Sequence, residues 1–224
     1  MKSYLSMMGA ALLLTTPLLA ENSLHFSTRE GSAYAWELAW TGTQWELSFV
    51  DDAIVVDDAV PTDSVLMGDR VLLPTMTVSS LTNLNNMLTA TLTPTEAFRI
   101  QSDTDGTTVL SATMKSGSML AVGTNTVAYS QPSNDLTVGS YTENYSTVLS
   151  GLVSDEKSGL MLDLSFSGDA IQGANLYNIL RGKTGSATGT VCGQISSIPE
   201  PATLLILGLG VVIANQFRPR QRKA

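Results

Sequence analysis

Apolar and polar residues alternate with a period of two through most of the chain, and the clearest case follows Ser32. Tyr34, Trp36, Leu38 and Trp40 alternate with Ala33, Ala35, Glu37 and Ala39, which predicts a strand. After Thr41-Gly42-Thr43-Gln44 the pattern resumes in Trp45, Leu47 and Phe49. The apolar faces coincide only if Trp40 opposes Trp45, Leu38 opposes Leu47 and Trp36 opposes Phe49 across a four-residue loop. All three tryptophans then share one face, suited to a core or to a carbohydrate-stacking platform; core packing is the expectation.

Shorter strands are predicted at Ala53 to Val56, Ser64 to Met67, Arg70 to Leu73 and Thr75 to Ser80, with Pro61 and Pro74 breaking the pattern. From Met87 to Thr93 the residues Thr89, Thr91 and Thr93 line one face of a half-buried strand, an arrangement that also occurs on ice-binding surfaces. Phe98 to Ala112 reads as a hairpin pairing Phe98 with Ala112, Ile100 with Leu110 and Asp103 with Thr107, Gly106 taking the left-handed turn position. Further strands are expected at Ser118 to Val122, Thr124 to Tyr129 and Leu136 to Tyr141. Thr147 to Val153 and Leu160 to Phe166 are expected to form a pair of strands about a turn at Asp155 to Gly159, Ala174 to Leu180 is the one helical candidate, and Thr188 to Ile195 is the last strand. Many short strands with turn residues between them predict an all-β fold, a β-sandwich or jelly roll.

The two ends break the alternation. Met1-Lys2 and the apolar stretch Leu5 to Leu19, closed by Ala20, read as a secretory signal peptide, residues 1–20, cleaved after Ala20. The exported β domain then covers 21–197. Residues 198–224 open with Pro199-Glu200-Pro201, continue through an apolar segment expected to form a short transmembrane helix at about 202–217, and end in Arg218, Arg220, Arg222 and Lys223. The prolines fix φ and withhold a donor, so the helix starts after them. The basic cluster keeps the C-terminus cytoplasmic.

The order of Pro-Glu-Pro, apolar span and Arg-rich end resembles the PEP-CTERM sorting signal of Gram-negative bacteria. The resemblance implies recognition by an exosortase, a membrane-embedded cysteine transpeptidase, which removes the tail from an inner-membrane-anchored precursor and leaves the domain at the cell surface or outside the cell. It also associates the tail with bacteria that produce an extracellular matrix. The partners it brings are the exosortase and, for the precursor, the Sec translocon and the membrane; exopolysaccharide is a candidate contact.

Charge and reactive residues narrow the picture. The whole chain carries a formal charge of −8. The part between the two ends has 7 Lys/Arg against 19 Asp/Glu, a formal charge of −12, which argues against nucleic acid and anionic lipid as partners of that part. One histidine, His25, and one cysteine, Cys192, leave no internal disulfide and make a Ser-His-Asp or Cys-His site or a zinc site hard to build. His25 is expected on a strand or surface, and Cys192, between Val191 and Gly193, is expected buried. Asp51, Asp52, Asp57, Asp58 and Asp63 could gather calcium but are expected to flank a short strand as solvated acids. Asp103-Thr104-Asp105-Gly106 reads as a turn, and Arg181 to Ser186 lacks the glycine spacing of a phosphate loop. No metal, cofactor or catalytic residue is therefore assigned. The expectation is a non-enzymatic exported cell-surface or extracellular-matrix protein; the alternatives are a secreted carbohydrate-active hydrolase or a carbohydrate- or ice-binding module.

Overall fold

Buried and exposed residues alternate in β13 (Leu160–Ser167), where Leu160, Leu162, Leu164 and Phe166 point to the core and Asp163 and Ser167 to solvent, the period of a strand with one wet face. The computed structural model describes residues 22–84, 87–122, 126–130, 136–154, 160–168, 179–180 and 186–197. The signal peptide, the Asp155 to Gly159 turn, most of the Ala174 to Leu180 helix, the Arg181 to Ser186 run up to residue 185 and the whole C-terminal segment expected to cross the membrane lie outside the described residues. Ile179 and Leu180 are helical.

Among the described residues the strands are β1 (Ser23–Thr28), β2 (Trp36–Trp40), β3 (Trp45–Phe49), β4 (Ile54–Val60), β5 (Arg70–Leu72), β6 (Met76–Leu84) and β7 (Met87–Pro94). They continue with β8 (Phe98–Gln101), β9 (Thr108–Met114), β10 (Gly117–Val122), β11 (Thr126–Ser130), β12 (Leu136–Tyr141), β13 and β14 (Ser186–Ser197). One helix, α1 (Thr147–Ser154), lies between β12 and β13.

The expected sandwich is corrected to a closed barrel. Antiparallel pairing runs β1, β14, β13, β12, β9, β8, β5, β4 and back to β1, a closed 8-strand circuit. A second path of pairings runs from β14 through β2, β3, β6, β7, β10 and β11 to β13, so both paths share the β13–β14 ladder. Local alternation reads the same in a sandwich and in a barrel, because both put every second side chain inside. What closes this one is long-range: β1 is hydrogen-bonded to β4 on one edge and to β14 on the other, and Val191 N donates to Thr28 Oγ1 at 2.8 Å across 163 positions of chain. Bulges between β1 and β4, β6 and β7, β8 and β9, and β9 and β12 bend the strands.

The β2–β3 hairpin has the expected register, with Trp36 opposite Phe49, Leu38 opposite Leu47 and Trp40 opposite Trp45. Trp36 and Trp45 are buried in the core and Trp40 packs against it. Each buried indole finds a carbonyl, Trp36 Nε1 donating to Thr190 O at 2.8 Å and Trp45 Nε1 to Leu180 O at 2.7 Å. Phe166 packs edge-on against Trp36, with ring centroids 5.9 Å apart. The tryptophan row is thus core, as expected.

Three local readings change. Ser64 to Met67 is a turn: Asp63 Oδ1 accepts from Val65 N at 3.1 Å, Gly68 sits at φ 87°, and Leu66 drops fully into the core. Thr147 to Val153 is helix rather than strand, since Val148, Leu149 and Leu152 follow a helical period and are buried together. In the β8–β9 hairpin the pairs Phe98–Ala112 and Ile100–Leu110 stand, but a bulge moves Gln101 opposite Thr108. Asp103 therefore falls in the loop, which Ser102 N closes by donating to Thr107 O at 2.9 Å, with Gly106 at φ 71°.

Candidate functional site

Four neighbouring strands of the barrel, β4, β1, β14 and β13, carry a shallow groove on the face turned away from the core, its floor apolar and its sides set with polar groups. In register across them stand Asp58, His25, Gln194 and Asp163. The next outward row holds Ser27, Cys192 and Ser165. Between the rows lies Gly193, and a side chain there would meet ring carbon Cζ of Phe26 at 2.5 Å and Cδ2 of Leu164 at 2.7 Å, so the floor is bare backbone over two buried apolar groups. The groove is open to solvent and has a volume of about 810 Å³. Its acidic rim includes Asp57, the extra residue of the β1–β4 bulge, beside Asp58, whose Oδ1 accepts from Ala59 N at 2.8 Å.

Cys192 is exposed in this groove, which corrects the expectation that it is buried. The strand period explains it: Val191 points inward, so the next residue points out. His25 lies on a strand, half-buried, as expected. Chemically the groove offers carboxylates, an imidazole, an amide and hydroxyls to a hydroxylated or positively charged ligand. Asp58 and Asp163 are three strand spacings apart, roughly 14 Å along the sheet, whereas a pair of glycosidase carboxylates stands at roughly 5 to 10 Å. The outward phase of Asp163 within Leu162-Asp163-Leu164 is legible in sequence; its place in one row with His25 is not.

The carboxylates that sequence placed together at Asp51 to Asp63 are separated by the fold. Asp52 pairs with Arg70 at 2.6 Å, Asp57 and Asp58 line the groove, and Asp63 is buried at the start of α1. There its Oδ2 accepts from Ser146 Oγ at 2.8 Å, Thr147 N at 2.9 Å and Thr147 Oγ1 at 3.2 Å, while Ser146 Oγ accepts from Leu149 N at 3.1 Å. Burial alone would raise the pKa of Asp63, but the hydrogen bonds from Ser146, Val65 and Thr147 outweigh it and hold the carboxyl below its ordinary range. Asp69, also buried, accepts from Asp103 N at 3.1 Å and Tyr145 Oη at 3.0 Å. Burial raises its pKa, and the nearby carboxylates of Asp103 and Asp105 add to the rise against those two hydrogen bonds. Asp105 turns back on Thr107 N at 3.0 Å, the turn chemistry expected of that loop. Among the described residues no group of three or more His, Cys, Asp or Glu is placed to hold a metal ion.

The threonine face is real but interrupted. Thr93 pairs with Thr77, Thr91 with Ser79 and Thr89 with Thr82, and a bulge between Ser79 and Thr82, with Ser80 at φ 52°, breaks the repeat. Thr77 and Thr89 also donate to backbone carbonyls across the ladder.

No helix among the described residues is long and apolar enough to cross a membrane, and Ala20, Pro199, Glu200, Pro201, Arg218, Arg220, Arg222 and Lys223 lie outside them. Residues 197–221 match the family model of the PEP-CTERM protein-sorting motif. No curated protein and no solved structure gives a significant match to the chain. The chain thus carries a PEP-CTERM sorting signal, the mark of an exosortase-processed precursor destined for export to the cell surface.

Proposed function

We infer that this PEP-CTERM protein is a non-enzymatic component of the cell surface or extracellular matrix, delivered as a precursor and released from its tail by an exosortase. Residues 1–20 direct it to the Sec translocon and leave after Ala20, and Arg218, Arg220, Arg222 and Lys223 hold the tail end in the cytoplasm. The observation that carries the reading is the sorting motif at residues 197–221. The non-enzymatic part is supported by chemistry: His25 and Cys192 lie on an open outer face, and Asp58 and Asp163 stand too far apart for a hydrolytic pair. The groove that joins them is where a glycan would be tested, because carboxylate, imidazole and amide groups able to hydrogen-bond sugar hydroxyls stand in one row there.

Mass spectrometry of the protein from its native host tests the delivery. Loss of the basic tail, together with a new N-terminus at Glu21, is expected; recovery of a mature form still holding Arg222 and Lys223 overturns it. For the role after arrival, the purified 21–197 barrel is expected to bind immobilised matrix polysaccharide without turning it over, and release of reducing ends from a glycan panel overturns the non-enzymatic reading.

A further inference from the structure

The strand that ends the barrel is held on both edges almost up to the sorting motif. Ser196 pairs with Ser23 of β1, Ser197 pairs with Leu160 of β13, and Ser197 N donates to Asn22 O at 3.3 Å. Ser196 and Ser197 are buried, and Ile195 beside them is fully so. Only Ile198 separates this clamped end from Pro199. Two residue steps span at most about 7 Å, so the chain length alone keeps Pro199 within that distance of Ser197.

An enzyme that cuts and rejoins peptide bonds grips several residues of extended chain on each side of the bond, and a strand already hydrogen-bonded on both edges cannot enter such a site without first opening. We propose that the pairing of β1 with the end of β14 is a latch on the sorting signal: the exosortase acts on Pro199-Glu200-Pro201 only when Ser196 and Ser197 have separated from Ser23, Asn22 and Leu160. Processing is then slower on the closed barrel than on one whose last strand has yet to dock. The N-terminal strand, although far away in sequence, controls the release of the C-terminal tail. This latch rests on the exosortase reading of the tail.

Pulse-chase labelling of the full chain in its native host, with the precursor and the trimmed form resolved by mass, tests it. Inserting Gly-Ser-Gly-Ser-Gly-Ser between Ser197 and Ile198 frees the motif from the strand and leaves β14 intact; trimming is expected to speed up by about fivefold or more, since the cost of local opening no longer enters the rate. An unchanged rate overturns the latch. Pro199→Ala with Pro201→Ala is the separate control: it is expected to stop trimming in both the native and the extended chain, and trimming that persists overturns the exosortase reading itself. A second variant, Leu24→Ala, loosens β1 against β14 without lengthening the tether. It is expected to speed trimming of the native chain while leaving the extended chain unchanged, and equal acceleration of both overturns the latch.

Discussion

Asp63 and Asp69 inside the barrel wall and Asp58 and Asp163 on its outer groove are the same functional group used in opposite ways. Each oxygen of the inner pair accepts from this chain: Asp63 serves Ser146, Thr147 and Val65, and Asp69 serves Asp103 and Tyr145. Asp58 is bonded to its own next residue and Asp163 stands exposed at the groove edge. Buried carboxylates must be satisfied by the fold, so they organise it, and exposed ones cost little to leave in water and stay available to a ligand. Within the inner pair the contrast repeats. Hydrogen bonds win over burial at Asp63, while at Asp69 burial and two neighbouring carboxylates win over hydrogen bonds.

The largest test of this contrast is Asp63→Ala, which strands Ser146 and Thr147 at the start of α1 and is expected to destabilise the barrel by about 3 kcal/mol in chemical denaturation. A change below about 1 kcal/mol breaks the claim that this carboxylate organises the corner. Next is Gly193→Ala in the groove floor, where the new methyl meets Phe26 and Leu164; a loss of about 2 kcal/mol is expected, showing that the outer face is built on core packing even though its carboxylates are not.

The third test is the dependence of stability on pH. Asp69 binds its proton more tightly folded than unfolded, so its burden on the fold lifts as pH falls through its raised folded pKa. Asp63 binds its proton less tightly folded, so its contribution is present above the ordinary 3.8 and disappears as pH falls through the lowered folded value. Thermal midpoints are therefore expected to rise on acidification and then fall below pH 3.8. Asp69→Asn should flatten the rise and leave the later fall in place. The smallest effect is expected from Asp58→Asn and Asp163→Asn, each within about 0.5 kcal/mol of the parent. If either matched Asp63→Ala, the division between organising and available carboxylates would be wrong.

Legibility in the sequence follows distance along the chain. The Trp36 to Phe49 hairpin was readable to the residue because both faces and the turn lie within one window of alternation. The Phe98 to Ala112 hairpin was readable up to the bulge at Gln101, since an extra residue leaves no mark in a pattern of period two. The start of α1 is not legible in the sequence, because Thr147 and Val148 favour strand and the carboxylate that caps the helix is Asp63, supplied from another part of the chain. Barrel closure and the groove depend on β1 meeting β4 and β14, and no local pattern encodes either meeting. Cys192 is a different case: its apolar and small neighbours suggest burial, whereas the local alternation of β14, with Val191 inward, turns it outward.

The shared β13–β14 ladder also sets a timetable for export. A chain that crosses a membrane from its N-terminus delivers β14 last of all its strands, and β14 is the member that completes both paths of pairing. Until it arrives, β1, β2 and β13 each present an unpaired edge, the kind of surface that attracts other chains. Closure of the barrel therefore waits on one late, long-range step, the pairing of β14 with β1, β2 and β13, even though hairpins such as β2–β3 and β8–β9 pair locally.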